Sequence, residues 1–306
     1  MKSLSPVYGY PVIIILKRFF LGIKIRFILP ERKKPKPVKR TVTSVGMSVA
    51  PLIMEVMMMI NDETRRKLEE LSLDEMIHAL EIQSNQQSCL TLSFEERFQL
   101  LVDYTYQEKY TNKVKRLIKV AKFRFPQANV DDIYYTDRHL DRNKVLSVAS
   151  CQFINTCTNI IIDGFTGSGK SYLGCAIGKA ACRQGYRTRY IRMPDLMQIH
   201  DEAATTVTGV SKLIKKFENY TLLILDEWLV DDLSRQQEHF LFELIERRYT
   251  DKSTVFCTQY RIEDWHVRLG GGIHADAIID RIVNNSIKIY SGDLNMRQVK
   301  AVNIHE

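Results

Sequence analysis

The chain has 306 residues, 45% hydrophobic and 26% charged, an ordinary balance for a globular protein with one large domain or two modest ones. Its net charge of +8 suggests a nucleic-acid partner, yet residues 1–45 hold eleven Lys/Arg against one acid, Glu31. The remainder holds 33 bases against 35 acids, which excludes a uniformly basic body and assigns the high pI to the tail.

Residues 11–30 are apolar, but Lys17, Arg18, Lys24 and Arg26 break them well short of the ~20 residues that a spanning helix needs. No small-residue cleavage site follows, and 31–40 are basic and proline-spaced. Three readings of 1–58 stand open: a basic, disordered interaction arm, an interfacial anchor, or a start codon assigned too far upstream. Met47, Met54 and Met57-Met58-Met59 offer later starts.

From 59 to 125 the spacing of Leu68, Leu71, Leu73, Met76, Ile77, Leu80 and Ile82 predicts helices. Ser72 with Glu75, and Ser93 with Glu96, match the capping box that opens a helix. In the last helix Val114, Leu117, Ile118 and Ala121 share a face expected to meet a core. Lys113, Lys115, Arg116, Lys119 and Lys122 cover the other faces, together with Lys109 and Arg124, and no acid occurs between Glu108 and Asp131. A charge run is usually a solvated face; the lack of any compensating acid favours contact with DNA phosphates. Residues 59–125 are therefore expected to be a small helical domain that binds DNA or a partner.

Beyond Pro126, apolar runs at Ile160–Ile162, Arg189–Met193, Leu222–Leu225, Thr254–Cys257 and Ile287–Tyr290 alternate with amphipathic stretches such as Lys170–Arg183 and Arg235–Tyr249. This alternation predicts an α/β domain over 126–306, a parallel five-stranded sheet flanked by helices, with a ligand at the carboxyl ends of the strands. Six cysteines are scattered without metal-like spacing, as small core residues of a reducing compartment would be.

The first strand runs into DGFTGSGKS. Gly164, Phe165, Thr166, Gly167, Ser168 and Gly169 can curl backbone N–H groups around phosphates, while Lys170 reaches the β/γ-phosphates and Ser171 holds Mg²⁺. The apolar run TLLIL then ends in Asp226-Glu227: Asp226 suits the Mg²⁺ water shell and Glu227 suits polarising a water. A third strand ends in Thr258-Gln259, polar groups expected near the γ-phosphate. Arg281, on a helix, and Arg297, near the terminus, are candidates to meet phosphate charge. Together these pieces imply ATP hydrolysis.

The ordered set resembles the AAA+ P-loop ATPases of the helicase-loader clade, and among them the IstB-like transposition helper ATPases of bacterial insertion sequences. SFEERFQLLVDYTY, the lysine-rich helix, GFTGSGKSYLGCAIGKAACRQGY, LLILDEWLVDDL, TQYRIEDW and HADAIIDRIVNN with GDLNMR carry the likeness. The resemblance implies a cytoplasmic bacterial ATPase using ATP and Mg²⁺. Its partners would be double-stranded DNA, bound largely without sequence preference, a transposase, and copies of itself, with no membrane. Arg281 would act on ATP held by a neighbouring subunit, and Arg297 as a second sensor. Asp-Glu in place of the more frequent double aspartate, and Asp163 before the loop, depart from the pattern. Sixteen residues follow Tyr290, too few for a full helical lid domain.

A replicative helicase loader shares the same core and is the alternative. The Asp-Glu pair, the Arg281 helix and the lack of an acceptor lid argue against a small-molecule kinase. A non-hydrolysing scaffold would tolerate loss of Glu227.

Overall fold

Apolar runs become the strands of a five-stranded parallel sheet, its three central strands buried on both faces. A computed structural model of the chain describes residues 60–298 except Asp137 and Arg297, so the readings of 1–58 and of Arg297 lie outside the described residues. The strands are β1 (Asn159–Asp163), β2 (Thr188–Arg192), β3 (Leu222–Asp226), β4 (Ser253–Cys257) and β5 (Ser286–Tyr290), in the order β2-β3-β4-β1-β5. All neighbours are parallel, with Ile160 opposite Val255 and Ile287, and Ile224 opposite Tyr190 and Val255. Each predicted strand is present, displaced by no more than a residue at either end.

Because side chains alternate along a strand, the sheet has two cores. Ile160, Ile162, Tyr190, Leu222, Ile224, Val255 and Cys257 pack under α7 (Lys170–Arg183) and α5 (Arg142–Ala149). Ile161, Leu223, Leu225 and Phe256 pack under α8 (Met193–Ala204), α9 (Gly209–Glu218), α10 (Arg235–Arg248), α11 (Ile262–Arg268) and α12 (Gly272–Val283). Trp228 and Trp265 are fully buried on this second side, with centroids 5.7 Å apart. Among the described residues no helix is long and apolar enough to cross a membrane.

Upstream lie α1 (Asp62–Glu70), α2 (Asp74–Asn85), α3 (Gln87–Leu90), the 28-residue α4 (Phe94–Ala121) and, after α5, the short α6 (Gln152–Asn155). Ser93 and Glu96 form the expected capping box on α4. Ser72 and Glu75 do not. Ser72 sits at φ 54°, its carbonyl accepts from Lys109 Nζ at 2.6 Å, and Leu73 takes the cap position. The Ser72 N–H that the box would give to Glu75 donates instead to Glu69 O at 2.8 Å, closing the end of α1.

Residues 60–121 join the same compact unit as the sheet. Leu117 and Ile118 pack against the α7-side core and Ala121 is buried within it. The chain then turns through Lys122 at φ 55° and sets Phe123 into that core. There α7 comes so close that a β-carbon on Gly178 would lie 2.6 Å from Phe123 Cε1 and 2.5 Å from Ile224 Cδ1.

Candidate nucleotide site

β1, β4 and β3 are adjacent, so their carboxyl ends deliver three loops to one place. The loop after β1 is the glycine-rich turn. Gly164, Gly167 and Gly169 have φ of 145°, 87° and 92°, a left-handed path that turns successive amides toward one centre. A side chain at Gly167 would be strained at its φ of 87° and would displace Asn295, whose Oδ1 would stand 2.5 Å from a β-carbon there. Gly169 is the N-cap of α7, whose amino end adds its partial positive charge to the loop. Phe165 and Thr166 are exposed, while Ser168 is buried and shares a 2.5 Å hydrogen bond with the Ser291 hydroxyl.

Lys170 opens α7 and bends back across the loop, donating to the carbonyls of Gly164 (2.8 Å) and Phe165 (2.7 Å). A phosphate oxygen offers this ammonium a stronger, charge-assisted acceptor than either carbonyl. Ser171 follows one residue into the helix. Asp163 ends β1 just before the loop, and burial pushes its carboxyl up despite the opposing charge of Lys170.

Asp226 ends β3 with 2% of its surface exposed and accepts from the Tyr190 hydroxyl at 2.6 Å. Burial, then the charge of Asp226, pushes the Tyr190 phenol up, so it stays a donor. Among the described residues no lysine or arginine pairs with Asp226. A buried carboxylate whose one side-chain partner among the described residues is a neutral hydroxyl fits a site that a divalent cation would complete.

Glu227 is the next residue, in left-handed backbone at φ 56°. Its Oε1 accepts from Arg124 (3.0 Å) and its Oε2 from Arg192 Nε (2.9 Å) and NH2 (2.7 Å). Burial pushes the carboxyl up, but hydrogen bonds and charge from Arg192 and Arg124 outweigh it and hold the group below the usual glutamate range. A carboxylate has about four acceptor positions, so three N–H donors leave Oε1 capacity for a water.

From the third loop, Gln259 Oε1 accepts from Thr166 at 2.8 Å, bringing it onto the glycine-rich turn. Thr258 is buried and structural: its hydroxyl donates to Trp228 O (3.2 Å) and accepts from Tyr260 N (3.1 Å). Arg281 stands elsewhere. Asn159, which begins β1, donates to the carbonyls of Arg281 and Ile282 at 3.4 Å, so Arg281 lies at the amino end of a strand whose carboxyl end carries the loop. Its guanidinium pairs with Glu246 and rests near the Phe242 and Tyr249 rings.

Two features carried no sequence signal. Arg138, in the linker before α5, donates to Ser168 O at 2.7 Å and also to Ser291 O, tying the loop to the segment after β5. Met296 N donates to Gly167 O at 3.0 Å from that same segment. No motif marks a linker arginine. Lys113, Lys115, Arg116 and Lys119 on α4 and Lys122 at its C-cap are all exposed, and among the described residues none pairs with an acid.

The pattern for IstB-like ATP binding proteins matches residues 66–302. The chain belongs to this family. Two putative insertion sequence ATP-binding proteins of Sinorhizobium fredii are similar to it. One is 34% identical over 76% of this chain and 94% of its own length, and the other is 29% identical over 79% and 97%. The crystal structure of the DnaC helicase loader is similar in fold at 22% identity, with a TM-score of 0.47 over 55% of this chain and 98% of that one. As an IstB-like protein with a phosphate loop, the chain is a P-loop ATPase that binds ATP.

Proposed function

We propose that the chain is the ATP-dependent helper of an insertion-sequence transposase. It binds double-stranded DNA through the basic face of α4, assembles with its own copies on that DNA, and hydrolyses ATP to regulate transposition in the bacterial cytoplasm. The names of the Sinorhizobium relatives support the insertion-sequence context. The observation that carries the DNA reading is the run of five exposed bases, unpaired with any acid among the described residues, on α4 and its C-cap Lys122, just ahead of Arg124, which reaches Glu227.

The chemistry follows from the site. Lys170 and the loop amides hold the β- and γ-phosphates, and Gln259 orients through Thr166 toward the same turn. Asp226 and Ser171 would hold Mg²⁺, which supplies charge neutralisation on the phosphates. Glu227, kept ionised by its arginines, accepts a proton from the attacking water. Arg281 is separated from its own loop by the five residues of β1, about 16 Å at ~3.3 Å per residue. This separation supports its acting on ATP in a neighbouring subunit.

Duplex DNA is expected to stimulate hydrolysis, and log affinity should fall linearly with log salt. Replacing Lys113, Arg116 and Lys119 together with glutamine should reduce that slope by about 3. Hydrolysis indifferent to DNA, with binding that ignores salt, would overturn the reading.

A further inference from the structure

Tyr190 and Arg192 of β2 stand on the α7 side of the sheet, two residues apart and therefore on one face. Arg192 serves Glu227. Tyr190, 5% exposed and in register with Ile224, reaches past it to Asp226 Oδ2 at 2.6 Å. Phenylalanine would fill the same space without burying a hydroxyl, and a buried hydroxyl needs a partner. Here the partner is Asp226, with which no lysine or arginine among the described residues pairs. The bond takes up one carboxylate oxygen and fixes the plane of the other.

We propose that Tyr190 is a positioning residue for the nucleotide's divalent cation: by holding Oδ2 it commits Oδ1 of Asp226 to the Mg²⁺ water shell. The inference rests on the proposed role of Asp226 and goes beyond it, because it assigns the two oxygens different tasks. A metal-binding carboxylate left free to rotate loses affinity, and partners of this outer kind are commonly worth tenfold or more.

The test is binding of a fluorescent ATP analogue to the full chain, first in EDTA and then along a Mg²⁺ titration. Tyr190→Phe should leave the affinity in EDTA within about twofold and raise the Mg²⁺ concentration for half-effect about tenfold. An unchanged half-effect concentration overturns the proposal. Asp226→Asn separates the two levels. If it leaves the Mg²⁺ response intact, the role of Asp226 falls and Tyr190 with it. If it abolishes the response while Tyr190→Phe changes nothing, only Tyr190 falls.

Thermal melting checks that each variant is folded. Should Tyr190→Phe fail to fold, the double variant with Asp226→Asn leaves no buried charge and carries the test. It should match Asp226→Asn alone, because a residue acting through Asp226 adds nothing once Asp226 is neutral. A further loss of affinity in EDTA, or a double variant that also fails to fold, makes Tyr190 a core residue and overturns the proposal.

Discussion

Glu227 combines two unfavourable conditions that a merely structural glutamate would avoid. Its φ of 56° is a left-handed conformation that costs a residue with a β-carbon roughly 1–2 kcal/mol, and its carboxyl is partly desolvated between two elements. Arg192 and Arg124 compensate by holding the charged form. Because a general base works only when deprotonated, hydrolysis by the parent chain should show no Glu227-dependent loss above about pH 5. Arg124→Ala removes one counter-charge, so the acid limb of kcat/KM should move up toward the ordinary glutamate range. A limb that stays in place would assign it to another group. Stability follows the same sign: the pairing contributes fully above the unfolded carboxylate pKa and is lost as pH falls through the depressed folded one.

Arg248, in the last turn of α10, shows how elements are locked together beneath the site. It is 1% exposed and donates to Thr254 Oγ1 (3.1 Å) and to the carbonyls of Phe217 (2.9 Å), Tyr220 (2.7 Å) and Ser253 (2.6 Å). One side chain thus joins the end of α9, the entry to β3 and the start of β4. Arg248→Met would keep the volume and orphan several buried carbonyls, so unfolding in urea should show a loss of about 3–5 kcal/mol. Arg248→Lys should recover little, since three donors on one point cannot reproduce a planar fork. A loss under 1 kcal/mol for either variant would mean the carbonyls find other partners. None of this was legible in the chain, where Arg248 reads as a charged residue in a helix. The strands and the glycine-rich turn were legible because each is a local property: an apolar run, a residue able to take positive φ. Long-range contacts were not, as with Arg124 meeting Glu227 across 103 residues and Arg138 meeting Ser291 across 153. The Ser72–Glu75 box misled for a local reason, because the Ser72 N–H that the box needs donates to Glu69 O at 2.8 Å and closes the end of α1.

At the scale of the whole molecule, the groups proposed to act on phosphate lie at opposite edges of one sheet. The glycine-rich turn, Asp226, Glu227 and Gln259 lie at the carboxyl edge, whereas Arg281 lies at the amino edge beside Asn159. An arginine side chain cannot span β1, so a site needing both requires two copies in head-to-tail contact. Lys170→Ala destroys a chain's own site and leaves its Arg281; Arg281→Ala does the reverse. Each alone should lose hydrolysis by about 10³-fold or more. Mixed one to one, about a quarter of head-to-tail contacts would join an intact loop to an intact arginine. The mixture should therefore recover up to about a quarter of parent activity, measured as phosphate release at fixed total protein. If the mixture stays as inactive as its components, Arg281 does not work across a subunit boundary, and its pairing with Glu246 against Phe242 and Tyr249 is then its structural role.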